Sequence, residues 1–124
     1  MFYLHEVSAD TYRDALAVAR DQSVRVADAT SSPEEMPDNA VYYLADDLTS
    51  GFGVSSDADL IGLFSTTKGR GQHLVNEAIG LGARTLDCFD GFLPDYYESF
   101  GFAETKREPN WAPGGPDVVY MALV

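Results

Sequence analysis

The alternation of apolar and polar residues divides the first quarter of the chain into a strand and at least one helix. Phe2–Val7 has strand character, and Ser8 is a plausible N-cap for the helix that follows. That helix carries apolar residues at helical spacing, at Tyr12, Leu16 and Ala19. The stretch Ser23–Ala29 fits either a short strand or another helical turn, and the pattern leaves both open.

Three strand candidates and a helix follow an exposed loop at Ser31–Asn39 that contains prolines and acidic residues. The strands are predicted at Val41–Asp46, Phe52–Ser55 and Asp59–Ser65. Because their connections are short, we expect antiparallel neighbours. A helix is predicted from about Gln72, and Gly82 suits the C′ position at its end.

The remainder alternates between strands and one short helix. Arg84–Asp90 is a strand candidate, and the helix before it makes a crossover from Asp59–Ser65, so these two strands are expected to be parallel. A short helix at Phe92–Phe100 precedes strands at Phe102–Arg107 and Val118–Val124. The sequence therefore predicts one α/β domain over residues 1–124. Its mixed sheet is antiparallel in the N-terminal part, parallel at the β4/β5 crossover, and flanked by helices.

Composition restricts the class of protein. The 124 residues suit a single domain, and no apolar run approaches the ~20 residues of a membrane span. Cys88 is the only cysteine, which excludes an intrachain disulfide and a four-cysteine zinc site. No group of His, Asp and Glu has metal-ligand spacing, so no metal is expected. The N-terminus lacks the features of a signal peptide, and a cytoplasmic location is expected.

The charge is strongly acidic, with a formal net value of −12. This argues against binding to nucleic acid or to an anionic membrane. It is compatible with a cationic partner, with a well-solvated surface, or with mimicry of DNA, and the last would need carboxylates in regular surface rows.

The segment Thr66–Leu74 is the most informative chemical motif. A strand candidate leads into Gly69 and Gly71, which flank Arg70, and a helix begins directly afterwards. Glycines at a helix start expose backbone N–H groups, and the helix dipole favours an anion there. Lys68 and Arg70 are two of only eight basic residues. The motif therefore predicts an anion site, the alternative being a turn with an exposed basic pair.

The order of elements and two motifs resemble the GNAT superfamily of N-acetyltransferases, best over residues 41–124. The family's signature, Gln/Arg-x-x-Gly-x-Gly/Ala, matches Thr66-x-x-Gly69-x-Gly71. A second family pattern, Asn-x-x-Ala-x-x-Phe-Tyr-x-x-x-Gly-Phe, matches the segment from Asp90 to Phe102. Thr66 replaces Gln or Arg, the loop is shorter than usual, and Asp90 replaces Asn.

The resemblance implies that acetyl-CoA is bound. Its pantetheine amides are expected to pair with the backbone of Leu63, Phe64 and Ser65, and an N–H near Leu63 or Phe64 would polarise the thioester carbonyl. Gly62 is placed for the bulge that separates strands four and five in the family. The pyrophosphate is expected against the loop and helix start, at Lys68, Gly69, Arg70, Gly71, Gln72, His73 and Leu74.

The resemblance further implies N-acetyl transfer to an amine. Tyr97 matches the family position for the acid that protonates the leaving thiolate, although it could simply pack beneath its helix. Asp90, Asp59 and Asp87 are the candidates for the base. Cys88 lacks an obvious histidine partner, so direct transfer in a ternary complex is expected, without a covalent enzyme intermediate.

The expected acceptor is a small-molecule or peptide amine, cationic because the protein is acidic. The departures from the signature leave open a non-catalytic GNAT-fold binding protein, such as a phage or accessory factor that acts through its acidic surface. Trp111 lies in the loop Pro109–Pro116, where it could close over a substrate or pack on a sheet edge. A homodimer is possible if the apolar strand Val118–Val124 lies at an edge.

Overall fold

The computed structural model describes residues 3–124, which form two compact units, one ending at Ala83 and the other spanning Arg84–Val124. The first unit contains a four-stranded antiparallel sheet in the order β1-β2-β3-β4. Its strands are β1 (Leu4–Val7), β2 (Ala40–Ala45), β3 (Ser50–Ser55) and β4 (Leu60–Ser65). Its helices are α1 (Ala9–Gln22), α2 (Val24–Ala29) and α3 (Gly71–Gly80), and a single 3-10 turn spans Pro33–Glu35.

Serine side chains cap the first two helices. The Ser8 hydroxyl accepts a hydrogen bond from the Thr11 amide at 3.1 Å, which confirms the predicted N-cap of α1. The ambiguous stretch Ser23–Ala29 is helical, because the Ser23 hydroxyl accepts from the Val26 amide at 3.2 Å and starts α2. The predicted strand Phe2–Val7 is observed from Leu4, and Phe2 lies outside the described residues.

The predicted C′ position of Gly82, just after the end of α3, is confirmed. Gly82 has a φ of +107°, and its amide donates to the Ile79 carbonyl at 3.1 Å. The Ala83 amide donates to the Ala78 carbonyl at 3.0 Å, which completes the Schellman arrangement. Glycine is favoured here because it has no Cβ and can adopt the left-handed conformation without a steric clash.

The second unit contains a three-stranded antiparallel sheet in the order β5-β7-β6 and one helix. The elements are β5 (Thr85–Phe89), α4 (Phe92–Glu98), β6 (Phe102–Glu108) and β7 (Val118–Leu123). The apolar strand β7 is central, with both of its edges paired. The homodimer predicted from the sequence required this strand to lie at a sheet edge, and β7 does not lie at one.

The predicted parallel pairing of β4 with β5 is wrong for the described residues, because the two strands belong to different sheets and every pair is antiparallel. The physical reason is that the two strands have different hydrogen-bond partners. β5 pairs with β7, while on β4 the carbonyls of Gly62 and Ser65 accept side-chain hydrogen bonds from Tyr12 and Arg25. Each of these bonds occupies one of the two acceptor positions of its carbonyl oxygen.

Candidate functional site

The loop between β4 and α3 has the geometry of an anion site. Gly69 has a φ of +83° with open space on its Cβ side, and Arg70 is the N-cap of α3. The Arg70 side chain makes no capping hydrogen bond, so the amides at the start of α3 gain no acceptor from the N-cap residue. Backbone N–H groups and the positive end of the helix dipole therefore face the same region.

Arg70 does not present its guanidinium freely to that region. Its Nη2 lies 2.6 Å from Asp47 Oδ2, and its Nη1 lies 3.0 Å from Asp47 Oδ1, which makes a bidentate ion pair. Nη1 also donates to the hydroxyls of Thr49 at 3.1 Å and of the fully buried Ser50 at 2.8 Å. The guanidinium holds the pKa of Asp47 well below its usual range, and the carboxylate raises the pKa of Arg70.

Further bonds tie the β2–β3 turn to this loop. The Thr66 amide donates to the Thr49 carbonyl at 2.9 Å, and the Thr49 and Thr67 hydroxyls are 2.9 Å apart. Ser65 Oγ accepts from the Thr67 amide at 3.1 Å and donates to the Thr67 carbonyl at 2.6 Å. The loop is therefore fixed by its neighbours before any ligand arrives.

Lys68 supplies a cation that these bonds do not use. Its side chain is exposed, and it forms no ion pair with any of residues 3–124. Of the two basic residues predicted for the anion site, Lys68 presents its charge to solvent, while the charge of Arg70 is balanced by Asp47. His73 is directed toward Glu77, with His73 Nε2 3.8 Å from Glu77 Oε1.

The predicted bulge in β4 is confirmed. Gly51 pairs with Phe64 and Gly53 pairs with Ile61, so Phe52 alone stands opposite Gly62 and Leu63. Gly62 adopts the left-handed conformation, with a φ of +61°.

The register also shows which backbone groups of β4 face β3 and which face away from it. The Thr66 amide bonds Thr49 on the β3 side, so by strand alternation Phe64 also faces β3. Ser65 faces away, and its carbonyl accepts from Arg25 Nη2 at 3.2 Å. Leu63 lies in the bulge and forms no one-to-one register pair with β3.

Sequence reasoning missed Tyr12, Arg25 and Asp47 as contributors to this region. Tyr12 was assigned only to an apolar helix face, yet its hydroxyl bonds the Gly62 carbonyl. Arg25 and Asp47 are 40 and 23 residues from their partners, so no local pattern could pair them. The polar residues between β2 and β3 are the one sequence signal that could have indicated hydrogen-bonding side chains near the loop.

A groove of about 500 Å³ adjoins the same turn. Its walls are the exposed side of α1 and the β2–β3 turn, and Thr66 connects it to the loop. Val18 and Leu48, each 55% exposed, provide apolar surface, and Asp14 and Asp47 provide carboxylates. None of the described residues that line the groove is basic, and of its two carboxylates Asp47 is already paired with Arg70.

In the second unit, Asp90 is held by Arg107. Asp90 Oδ2 accepts from Arg107 Nη1 at 2.7 Å, and this bond, followed by one from the Gly91 amide, lowers the pKa of Asp90. Arg107 also bonds Glu104 and lies 3.7 Å from Asp117. Asp90 is therefore a weaker proton acceptor than a free carboxylate.

Tyr97 is almost fully buried, in edge-on contact with the rings of Tyr96 and Phe102. Burial raises the pKa of its phenol strongly, and the neighbouring Cys88, Tyr96 and Asp87 add to the effect. The phenol is therefore protonated at neutral pH and is a weaker acid than an exposed tyrosine. The ring also packs under its helix, so the two interpretations made from the sequence are compatible.

Cys88 is half-buried, and burial followed by the carboxylates of Asp87 and Asp90 raises the pKa of its thiol to about 11. At neutral pH it is a thiol and not a thiolate, which is unfavourable for nucleophilic attack. Residues 3–124 contain no cluster of His, Cys, Asp and Glu suited to a metal ion. Within the same residues, no helix has the length and apolar character needed to cross a membrane.

Several solved structures are similar to this chain. The ribosomal-protein-S18-alanine N-acetyltransferase of Escherichia coli matches with a TM-score of 0.69 at 16% identity, over 99% of this chain and 93% of that one. Apo YjaB of E. coli gives a TM-score of 0.66 at 15% identity, over 100% and 98%.

A Bacillus subtilis acetyltransferase in complex with CoA gives a TM-score of 0.61 at 17% identity, over 99% of this chain and 98% of that one. No protein-family model and no curated protein matches the sequence. At such identities the likeness establishes the fold.

Proposed function

We propose that this chain, which has the fold of the GNAT N-acetyltransferases, transfers an acetyl group from acetyl-CoA to an amine. One observation carries the proposal: a bulged strand leads directly into a glycine loop and a helix whose N-cap residue makes no side-chain capping hydrogen bond. This combination offers a donor for a thioester carbonyl and a cradle for phosphates on consecutive segments.

The residues present suit the cofactor. The amides of Gly71, Gln72, His73 and the loop would hold the pyrophosphate, with Lys68 as the available charge. Arg70 would contribute through its backbone, since its guanidinium is bonded to Asp47. The pantetheine amides would pair with Leu63 and Ser65, which do not face β3. Phe64 instead packs its side chain in the core.

The transfer itself needs three groups. The amine nitrogen attacks the thioester carbon, a carbon–nitrogen bond forms, the carbon–sulfur bond breaks, and the amine proton passes to water or a carboxylate. The Leu63 N–H would stabilise charge on the carbonyl oxygen. Tyr97 would donate its proton to the departing sulfur and regain one from solvent. Asp90 remains the proposed acceptor of the amine proton.

The acceptor is proposed to be a cationic small-molecule or peptide amine. The net charge of −12 attracts such molecules, and the groove beside the β2–β3 turn combines apolar surface with the carboxylate of Asp14.

Calorimetric titration with acetyl-CoA tests the binding step, with Gly71→Glu as the disrupting variant. A carboxylate in the first turn of α3 repels phosphate, so we expect the affinity to fall by at least about tenfold. Gly80→Glu is the matched control, because it adds the same charge at the other, exposed end of α3, where a Cβ meets no atom.

The outcomes separate the alternatives. Equal affinities for both variants would refute the phosphate site. Binding without release of CoA in the presence of any amine would favour a non-catalytic binding protein. Release that falls by about a hundredfold in Tyr97→Phe would support transfer with Tyr97 as the proton donor.

A further inference from the structure

A buried tyrosine holds the bulge of β4 from one side. The Tyr12 hydroxyl donates a hydrogen bond to the Gly62 carbonyl, and the residue has no exposed surface. Its ring stacks on Tyr42 with centroids 4.5 Å apart and meets Phe64 edge-on at 5.8 Å. Packing on these rings restricts the hydroxyl to one position.

The bonded carbonyl and the Leu63 N–H belong to the same peptide unit. This unit is planar and trans, so its oxygen and its hydrogen point in opposite directions. The Leu63 N–H therefore points away from Tyr12. Neither Gly62 nor Leu63 forms a one-to-one register pair with β3, and the Tyr12 hydroxyl bonds the carbonyl of the peptide that joins them.

Glycine at position 62 is what allows this contact. Besides its φ of +61°, a Cβ here would lie 2.6 Å from Tyr12 Oη and 3.0 Å from Met36 Sδ. The close approach of Tyr12 and the left-handed conformation thus both require glycine at position 62.

We propose that Tyr12 is a positioning residue for acetyl transfer, because it aims and polarises the Leu63 N–H that stabilises the carbonyl oxygen. The inference rests on the proposed function. A hydrogen bond to the carbonyl of an amide strengthens the donor on its nitrogen. Since negative charge develops on the thioester oxygen only during transfer, Tyr12 acts on kcat and leaves cofactor binding unchanged.

Tyr12→Phe tests the proposal, and Tyr42→Phe is its matched control. Tyr42 is buried in the same stack and donates to the Pro37 carbonyl at 2.6 Å, so both changes remove one hydroxyl bonded to one backbone carbonyl. Of these two tyrosines, Tyr12 bonds a residue of the bulge and Tyr42 does not. We expect Tyr12→Phe to lower kcat by at least about tenfold with KM for acetyl-CoA within about twofold, and Tyr42→Phe to leave both within about twofold.

A second readout does not depend on activity. The backbone amide signal of Leu63, followed by NMR, is expected to shift and its hydrogen to exchange faster in Tyr12→Phe, and to stay unchanged in Tyr42→Phe. If Tyr12→Phe does not fold, 3-fluorotyrosine at position 12 strengthens the donor and is expected to move the Leu63 signal the opposite way.

The two readouts distinguish the two failures. A wild-type protein that neither binds acetyl-CoA nor releases CoA refutes the proposed function, whatever the NMR result. An unchanged Leu63 amide in the Tyr12 variant refutes the positioning role. Equal losses of kcat in the two tyrosine variants also refute it, because they show a general effect of core hydroxyl removal.

Discussion

At the scale of single residues, Arg70 shows how a cation in a binding motif can serve a structural partner. The glycine loop predicted that Arg70 would meet an anion, and the anion it meets in the structure is Asp47. The bidentate pair joins the β2–β3 turn to the start of α3. Arg70 therefore stabilises the shape of the loop, and Lys68 remains exposed for a ligand.

We expect Asp47→Asn to lower the free energy of unfolding at neutral pH by about 1 kcal/mol, the upper end for an ion pair this exposed. The pKa of Asp47 is lower in the folded protein than in the unfolded chain. Its contribution is therefore complete above the unfolded pKa of about 4 and is lost as the pH falls toward the folded value. Urea unfolding at a series of pH values measures the difference.

Asp57→Asn is the control for this prediction, because it removes an exposed carboxylate from another turn. The difference between wild type and Asp47→Asn should shrink below about pH 4, as Asp47 becomes protonated in the unfolded chain. A difference that persists unchanged toward the most acidic pH would assign the loss to packing and not to charge.

At the scale of elements, local patterns predicted which segments are helices and strands better than they predicted the pairing. The Ser8 cap and the C′ position of Gly82 follow from the properties of single residues, whereas the bulge at Gly62 was implied by the family resemblance, and all three are observed. The partner of β5 depends on which strand offers free backbone groups. Tyr12 and Arg25 bind carbonyls of β4, and neither contact has a signature in local sequence.

The same limit applied to the candidate site. The glycine loop was visible because its glycines are adjacent in sequence. The contacts of Asp47, Arg25 and Tyr12 were not, since each joins residues at least 23 positions apart.

The cap of α1 gives a prediction at this scale. Ser8→Ala removes the acceptor for the Thr11 amide, so we expect the free energy of unfolding to fall by about 1 kcal/mol. Ser8→Thr keeps the oxygen and should retain most of the stability. Thermal or urea unfolding distinguishes the two, and equal losses in both variants would show that the hydroxyl does not cap the helix in solution.

At the scale of the whole molecule, charge and fold carry different information. The fold is shared with proteins at 15–17% identity, because apolar patterning and a few backbone features suffice to maintain it. The net charge of −12 instead influences which molecules approach the surface.

If the acceptor is cationic, kcat/KM for it should fall as the ionic strength rises, because salt screens the attraction. A neutral amine of similar size is the control, and its kcat/KM should change much less. Assays at constant pH with increasing sodium chloride measure the effect. The same salt dependence for both amines would exclude electrostatic attraction of the acceptor.

Trp111 has a consequence for how this protein can be observed. It is the chain's single tryptophan and is 81% exposed, with its ring centroid 6.3 Å from that of Phe89. Its fluorescence should already be that of an indole in water, so unfolding would shift the emission little. A molecule that covers the loop between β6 and β7 would shift it to the blue. The intrinsic emission is thus a reporter of occupancy at this loop rather than of folding.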